Sequence, residues 1–261
     1  MAVENTESRG KSVDYSKIAE RYDENRRTLA YPDIALESLL KQETQQPFAV
    51  LDVGCGTGNY LEMQVGYFTD HNVQWFGLEP SRGMLQITRR KVAGVPTSSE
   101  PFAEAQPFEP NSFNFVTTEF TFHHFSDKPR SLDEMTRILS RGGILRITNI
   151  LPQKMQNWIY YEYFPRTYEQ DLRRFWSLER LQDELENRGL EFLADVRIDK
   201  SEWKLSEALA HFRNRDASQL WMISEEEVLE GLALVEDELK QSPERTVTHE
   251  IAIIACIAMK N

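Results

Sequence analysis

The sequence predicts an α/β protein, a mostly parallel sheet with helices on both faces. Three observations lead there. The stretch AVLDVGCGTGNY at residues 49–60 starts as an apolar, β-branched run and breaks into Gly54, Gly56 and Gly58. It reads as a buried parallel strand ending in a tight turn that opens a helix. Further apolar strand-like runs at 73–79, 113–119 and 144–150 alternate with helix-patterned segments, and the chain closes on a β-rich run at 247–259. With 40% hydrophobic and 11% aromatic residues in 261, a sizeable core is available.

In chain order, residues 1–12 are polar and read as a disordered tail, and residues 13–261 read as one domain. Tyr15, Ile18, Ala19 and Tyr22 fall at helical spacing within 13–27, and Tyr31-Pro32 resets the chain before a second helix at 33–41. Residues 13–45 thus form a helical cap. A helix at 60–68 flanks the first strand. The second strand ends in Glu79, whose carboxylate can accept both hydroxyls of a ribose cis-diol; a nicotinamide site uses such a residue too. The third strand lies within 92–100, where Gly94 and Pro96 leave its limits open. After the fourth strand, 113–119, a helix at 127–140 places Leu132, Met135, Ile138 and Leu139 on one face. The fifth strand is 144–150. A helix at 178–188 stops at Gly189, and a sixth strand spans 190–198. Two helical patterns follow at 205–213 and 225–240, the second capped by Ser224 and led by three glutamates that suit the helix dipole.

Bulk properties exclude several classes. A formal net charge of −12 disfavours nucleic acid as a partner, and the basic runs are short, solvated faces. Two cysteines, Cys55 and Cys256, give neither a disulfide framework nor a metal cluster, so no metal is expected. No run approaches the ~18 apolar residues of a membrane span, and the start lacks a signal peptide's apolar core. A cytoplasmic protein, monomer or homodimer, is the expectation.

The glycine spacing is G-x-G-x-G, unlike the G-x-G-x-x-G of dinucleotide sites, and no P-loop lysine follows. With Asp52 ahead of it, the stretch resembles the first motif of class I S-adenosylmethionine-dependent methyltransferases, close to (L/V)-(L/V)-D-(V/I)-G-C-G-T-G. Three other segments share the resemblance. Residues 15–26 are similar to the family's Y-x-x-I-A-x-x-Y-D-x-x-R start. EPSRGML from Glu79 is similar to (D/E)-x-S-x-x-M-L, and HH at 123–124 sits as in S-x-x-L-H-H-x-x-D. The broad group includes ubiquinone and menaquinone biosynthesis methyltransferases.

The resemblance implies a Rossmann-like, seven-stranded, mostly parallel sheet with an antiparallel last strand and a helical lid insertion, here 151–188 and 200–245. It implies S-adenosylmethionine as cofactor and a small-molecule acceptor. The residues carried over as cofactor contacts are Tyr15, Tyr22 and Arg26 at the methionine end, and Asp52, Gly54, Cys55, Gly56, Thr57 and Gly58 in the turn. Glu79, Pro80 and Met84 follow at the second strand, with Phe102 and Ala103 at the adenine and Glu119 and Phe120 at the fourth strand. Phe102 stands where the family has an aspartate, and Glu119 where a small residue is usual.

Methyl transfer from a sulfonium is an in-line displacement in which a nucleophile approaches to ~3 Å with water excluded. A phenol, amine or activated carbon acceptor benefits from a base near neutral pKa. His123 is the candidate base; His123 and His124 are also candidate acceptor contacts, as are Trp158, Tyr161 and Phe164 from the aromatic stretch after the fifth strand. The alternative for these is core packing. His71, His211 and His249 carry no signal. Two other readings remain open: a nicotinamide-dependent oxidoreductase, opposed by the glycine spacing, and a non-catalytic protein that binds the cofactor for regulation.

Overall fold

The computed structural model describes residues 15–25, 31–42, 47–99 and 103–261. The expected tail at 1–12, Arg26 and Phe102 lie outside the described residues. Seven strands form one sheet in the order β3-β2-β1-β4-β5-β7-β6. They are β1 (Phe48–Val53), β2 (Val73–Leu78), β3 (Thr97–Ser98), β4 (Phe113–Glu119), β5 (Leu139–Ile150), β6 (Leu190–Lys204) and β7 (Thr246–Lys260). Strand β1 is buried along its whole length, as expected of a central parallel strand covered on both faces. The order reverses between β1 and β4, and at such a switch point the carboxyl ends of the strands open a crevice. Strand β7 runs antiparallel between β5 and β6, which gives the antiparallel last strand.

Two strand boundaries differ from the sequence expectation. The third strand, left open within 92–100, is Thr97–Ser98 and pairs with β2. Strand β5 begins at Leu139 rather than 144, because Gly142 (φ +74°) and Gly143 let the backbone continue through a register shift against β4. A Cβ on Gly143 would lie 2.9 Å from the Asn114 and Ser140 carbonyl oxygens. Strand β6 runs on past Ile198 to Lys204, since each residue finds a partner on β7 from Leu190↔Lys260 to Lys204↔Thr246. Its far end is polar in sequence and gave no strand pattern, yet the ladder holds it, and Trp203 stacks on His249 at 4.2 Å.

Helices α1 (Tyr15–Asn25) and α2 (Ile34–Gln42) precede the sheet, and α3 (Asn59–Tyr67) opens from the glycine turn. Helix α4 (Arg82–Lys91) follows β2, and α5 (Lys128–Ile138) follows β4, its N terminus capped by Asp127. Helix α1 lies on α4 because Gly83 has no side chain: a Cβ there would meet the Ser16 carbonyl oxygen at 2.8 Å. After β5 come α6 (Ile159–Tyr163), α7 (Pro165–Arg174) and α8 (Leu178–Glu186). Helices α9 (Leu205–Asn214) and α10 (Glu225–Gln241) form the expected insertion between β6 and β7. Ser224 and Glu227 close a reciprocal capping box at the start of α10 (2.7 and 3.1 Å). The aromatic stretch is largely interior: Tyr160, Tyr163 and Phe164 pack around Phe212 of α9, with centroids 4.9 to 5.9 Å apart. Among the described residues no helix is long and apolar enough to cross a membrane, and no cluster could hold a metal ion.

Candidate active site

The carboxyl ends of β1, β2 and β4 converge on the glycine turn. Gly54, Gly56 and Gly58 all have positive φ (+81°, +55° and +80°), a conformation that disfavours a Cβ. Their surroundings separate their duties. A Cβ on Gly54 would collide with Thr121 (2.1 Å) and one on Gly58 with Thr88 (2.8 Å), so these two glycines serve packing. A Cβ on Gly56 meets only the Met84 sulfur at 3.9 Å and otherwise projects into open space. That space is a cavity of about 250 Å3.

The cavity wall takes in Asp52, the turn from Gly54 to Thr57, Glu79, Pro80 and Met84, closed from above by Tyr15 and Tyr22 of α1. Gly58 contributes to the turn without lining the cavity. Ala103 is fully buried outside it, and its neighbour Glu104 lines it instead. Glu79 is buried, its Oε2 accepting from the Gly56 N–H (3.0 Å) and its Oε1 from the Ser81 N–H (2.8 Å). Burial raises its pKa, and these two amides oppose the rise. Each oxygen retains a lone pair for a further donor. Asp52 is 1% exposed, and neither carboxylate oxygen has a hydrogen-bond partner among the described residues. Burial, then the neighbouring Glu119 and Glu79 carboxylates, push its carboxyl well above the usual range.

Strand register explains how Glu119 arrives there. Asp52 pairs with Thr117 and Thr117 with Arg146, so these three share one face of the sheet, and Glu119 and Thr148 follow one row on. Arg146 pairs with Glu119 and, at 3.0 Å, with Asp33, which caps α2 and accepts from the Tyr60 hydroxyl (2.8 Å). Thr117 and Thr148 also donate to Glu119 Oε1 (both 3.0 Å), leaving Oε2 buried without a partner among the described residues. None of Asp33, Tyr60 and Arg146 was signalled by the sequence motifs, because only the fold brings α2, α3 and β5 together.

A second cavity of about 530 Å3 adjoins the first, and the two share Tyr15, Tyr22, Tyr60, Glu119, Phe120 and His124 as walls. Phe120 sits at the junction with φ +52°, a left-handed conformation that costs a bulky residue roughly 1–2 kcal/mol. Its N–H is held by the Thr148 carbonyl (2.8 Å). His123 lines the larger cavity, stacked on Phe175 at 4.1 Å. Burial, with the nearby His124, Arg174 and Lys128 side chains, holds its pKa well below 6.5, against an opposing hydrogen bond with Asn149. The ring is therefore neutral at ordinary pH, and its Nδ1 has no hydrogen-bond partner among the described residues. His124 Nε2 lies 2.9 Å from the Tyr15 hydroxyl, tying α1 to the end of β4.

Of the three expected aromatic contacts, only Trp158 lines the larger cavity, with its indole N–H buried and unpartnered among the described residues. Tyr161 and Phe164 are placed in the interior instead. The Tyr161 hydroxyl donates to Asp171 (2.9 Å), and Phe164 packs under Gly231, where a Cβ would come within 2.3 Å of its ring. Phe175, from the same aromatic stretch, also lines this cavity; sequence reasoning missed Asn149, Ile251 and Ile253, and it missed the polar rim of Arg21, His211 and Asp216. His211 Nδ1 lies 2.7 Å from Asp216, and Arg21 reaches Asp216 at 3.4 Å from α1. No motif marks these residues, which come together only in the folded chain.

Comparison with known proteins agrees with this geometry. A family model described as a methyltransferase domain matches residues 51–147. A ubiquinone/menaquinone biosynthesis C-methyltransferase, UbiE, of Campylobacter jejuni is 26% identical over 212 residues, 69% of this chain and 88% of that protein. A demethylmenaquinone methyltransferase of Thermus thermophilus is 31% identical over 167 residues, 58% of this chain and 72% of that protein. Other relatives match over about half their length, as in a demethylmenaquinone methyltransferase of Symbiobacterium thermophilum (54%). The crystal structure of a methyltransferase from an antibiotic biosynthesis pathway of Anabaena variabilis superposes with a TM-score of 0.66 at 21% identity. That likeness covers 88% of this chain and 99% of that one and shows the shared fold. The glycine turn, the strand order and these relatives agree: the chain belongs to the class I S-adenosylmethionine-dependent methyltransferases, and S-adenosylmethionine is its cofactor.

Proposed function

We propose that the smaller cavity holds the cofactor and the larger one a small, mostly apolar, flat acceptor. The observation that carries this reading is the wall the two cavities share, which sets a bound nucleoside and a bound acceptor side by side under α1. The residues fit a cationic nucleoside amino acid. Gly56 leaves bare main chain, Glu79 offers carboxylate lone pairs for ribose hydroxyls, and Asp52 is a buried carboxyl with no hydrogen-bond partner among the described residues. Pro80 and Met84 flank the nucleoside, while Tyr15 and Tyr22 cover the methionine end. When bound, the cofactor supplies a methyl group activated by a sulfonium.

The protein's part is to orient the acceptor, exclude water and move a proton. Trp158, Phe175, Ile251 and Ile253 provide flat and apolar contact, and the Trp158 N–H gives an oxygen-bearing acceptor one directional bond. Neutral His123 takes the acceptor's proton. Segment 151–188 and the part of 200–245 that follows β6, residues 205–245, act as the lid, supported by Trp158 and Phe175 from the first and by Arg215 to Gln219 from the second in the cavity wall. The quinone-biosynthesis names of the relatives favour a hydroxylated aromatic acceptor. A cytoplasmic, monomeric or homodimeric enzyme without a nucleic-acid partner completes the reading. A methyl-transfer assay over hydroxylated aromatic, amine and carboxylate acceptors tests it: turnover with the first class supports the reading, and exclusive turnover with carboxylates removes the need for His123.

A further inference from the structure

Among the described residues, the carboxylates in and beneath the wall of the smaller cavity outnumber the positive charges that face them. Asp33, Asp52 and Glu119 face one described guanidinium, Arg146, and Glu79 faces Asp52 from the end of β2. Asp33 and one Glu119 oxygen are satisfied by Arg146, with hydroxyl donors to each: Tyr60 to Asp33, Thr117 and Thr148 to Glu119. Glu79 is held by two backbone amides. The remaining acceptors, both Asp52 oxygens and Glu119 Oε2, are buried with no donor among the described residues. An unpaired anion in such a place is strongly disfavoured, and the usual escape is to take up a proton. The other titratable groups in this wall are Cys55, buried and pushed further toward its neutral thiol, Glu104 and His124, and the Tyr15 and Tyr22 phenols of α1.

We propose that Asp52 and Glu119 together hold one proton before the cofactor binds, release it to solvent when the positively charged cofactor enters, and so discriminate the sulfonium cofactor from its neutral thioether product. The pair is a specificity-determining element: after methyl transfer the cavity has lost one positive charge, the pair regains a proton from solvent, and the product is held less tightly than the cofactor. The inference rests on the placement of the cofactor in the smaller cavity.

Calorimetric titration with S-adenosylmethionine and S-adenosylhomocysteine, each in two buffers of different ionisation enthalpy, counts the protons exchanged. Working between about pH 5.5 and 7 keeps below the ~7.7–8.0 range of an α-amino group, so both ligands stay protonated there. The expected result is proton release with S-adenosylmethionine and markedly less with S-adenosylhomocysteine. The affinity ratio should rise with pH by up to about tenfold per unit for a full proton. Asp52→Asn and Glu119→Gln should each shrink the difference. Equal proton counts for the two ligands in the wild-type protein overturn the proposal while leaving the placement intact. Binding that survives Gly56→Val overturns the placement instead.

Discussion

Glu79 closes the glycine turn from the neighbouring strand, its Oε2 accepting from the Gly56 N–H at 3.0 Å. The carboxylate proposed to hold the ribose thus also fixes the conformation of the turn beside it. Its other oxygen holds the Ser81 N–H at 2.8 Å, at the start of α4. One side chain links three of the segments that build the cavity.

Replacing Glu79 by Ala should weaken S-adenosylhomocysteine binding by a few kcal/mol at most, through loss of a charge-assisted contact and some loosening of the turn. Calorimetric affinities of the two proteins check this. Unchanged affinity would put the ribose elsewhere.

Two helical glycines should respond in opposite directions. Gly66, exposed in α3, has nothing within 4 Å of an added Cβ, so Gly66→Ala should gain about 0.5–1 kcal/mol from helix propensity. Gly231→Ala in α10 should lose about 1–3 kcal/mol, because the new methyl would enter the Phe164 ring. Denaturant midpoints measure both, and a stabilised Gly231 variant would contradict the packing of α10 on α6.

Among the described residues, Arg146 is the one guanidinium that pairs with the Asp33 and Glu119 carboxylates, and its side chain is largely buried. Arg146→Met removes that ion pairing and should cost about 3–5 kcal/mol of stability. Raising acidity should partly restore the variant by protonating Glu119, whose carboxyl burial already pushes upward. Thermal melts from neutral to mildly acid pH would show the gap to wild type narrowing; a constant gap would mean the carboxylates find other partners.

His123 carries a pH signature. Its folded-state pKa lies well below 6.5, so the native ring stays neutral while the unfolded one gains a proton as pH falls through 6.5. The unfolded state then binds more protons, and stability drops on the acid side by up to about 1.4 kcal/mol per pH unit, with no effect above 6.5. His123→Gln should flatten that limb, slow turnover of a proton-bearing acceptor, and leave S-adenosylhomocysteine affinity near wild type. An unaltered turnover rate would remove His123 as the base.

Much of the fold and most of the lining of the smaller cavity were legible in the sequence, for a definite reason. Residues 49–60 and 79–84 act through local backbone geometry, a strand end followed by a turn, and such geometry leaves a spacing in the chain. The larger cavity is assembled differently. Tyr161 and Phe164 share helical spacing with Trp158, yet α6 presents Trp158 to the cavity and turns the other two toward Asp171 and Phe212. Periodicity names a face without saying what lies opposite. Likewise Arg146 and Asp33 are 113 positions apart, and only the β1-β4-β5 register and the entry of α2 bring them together. His211, Asp216 and Arg21 form the rim by the same kind of long-range closure. The extension of β6 to Lys204 was hidden because a polar run pairs as well as an apolar one when its neighbour β7 is long enough.

The measurement that bears most directly on the whole account is calorimetric titration of wild type and Gly56→Val with S-adenosylhomocysteine, with NAD as a control. Gly56 is the turn glycine whose missing side chain opens onto the cavity and not onto Thr121 or Thr88. The expected result is one micromolar site in the wild type, no binding of NAD, and loss of S-adenosylhomocysteine binding in a Gly56→Val protein that still unfolds cooperatively. Binding that persists in the folded variant would contradict the placement of the cofactor against the glycine turn.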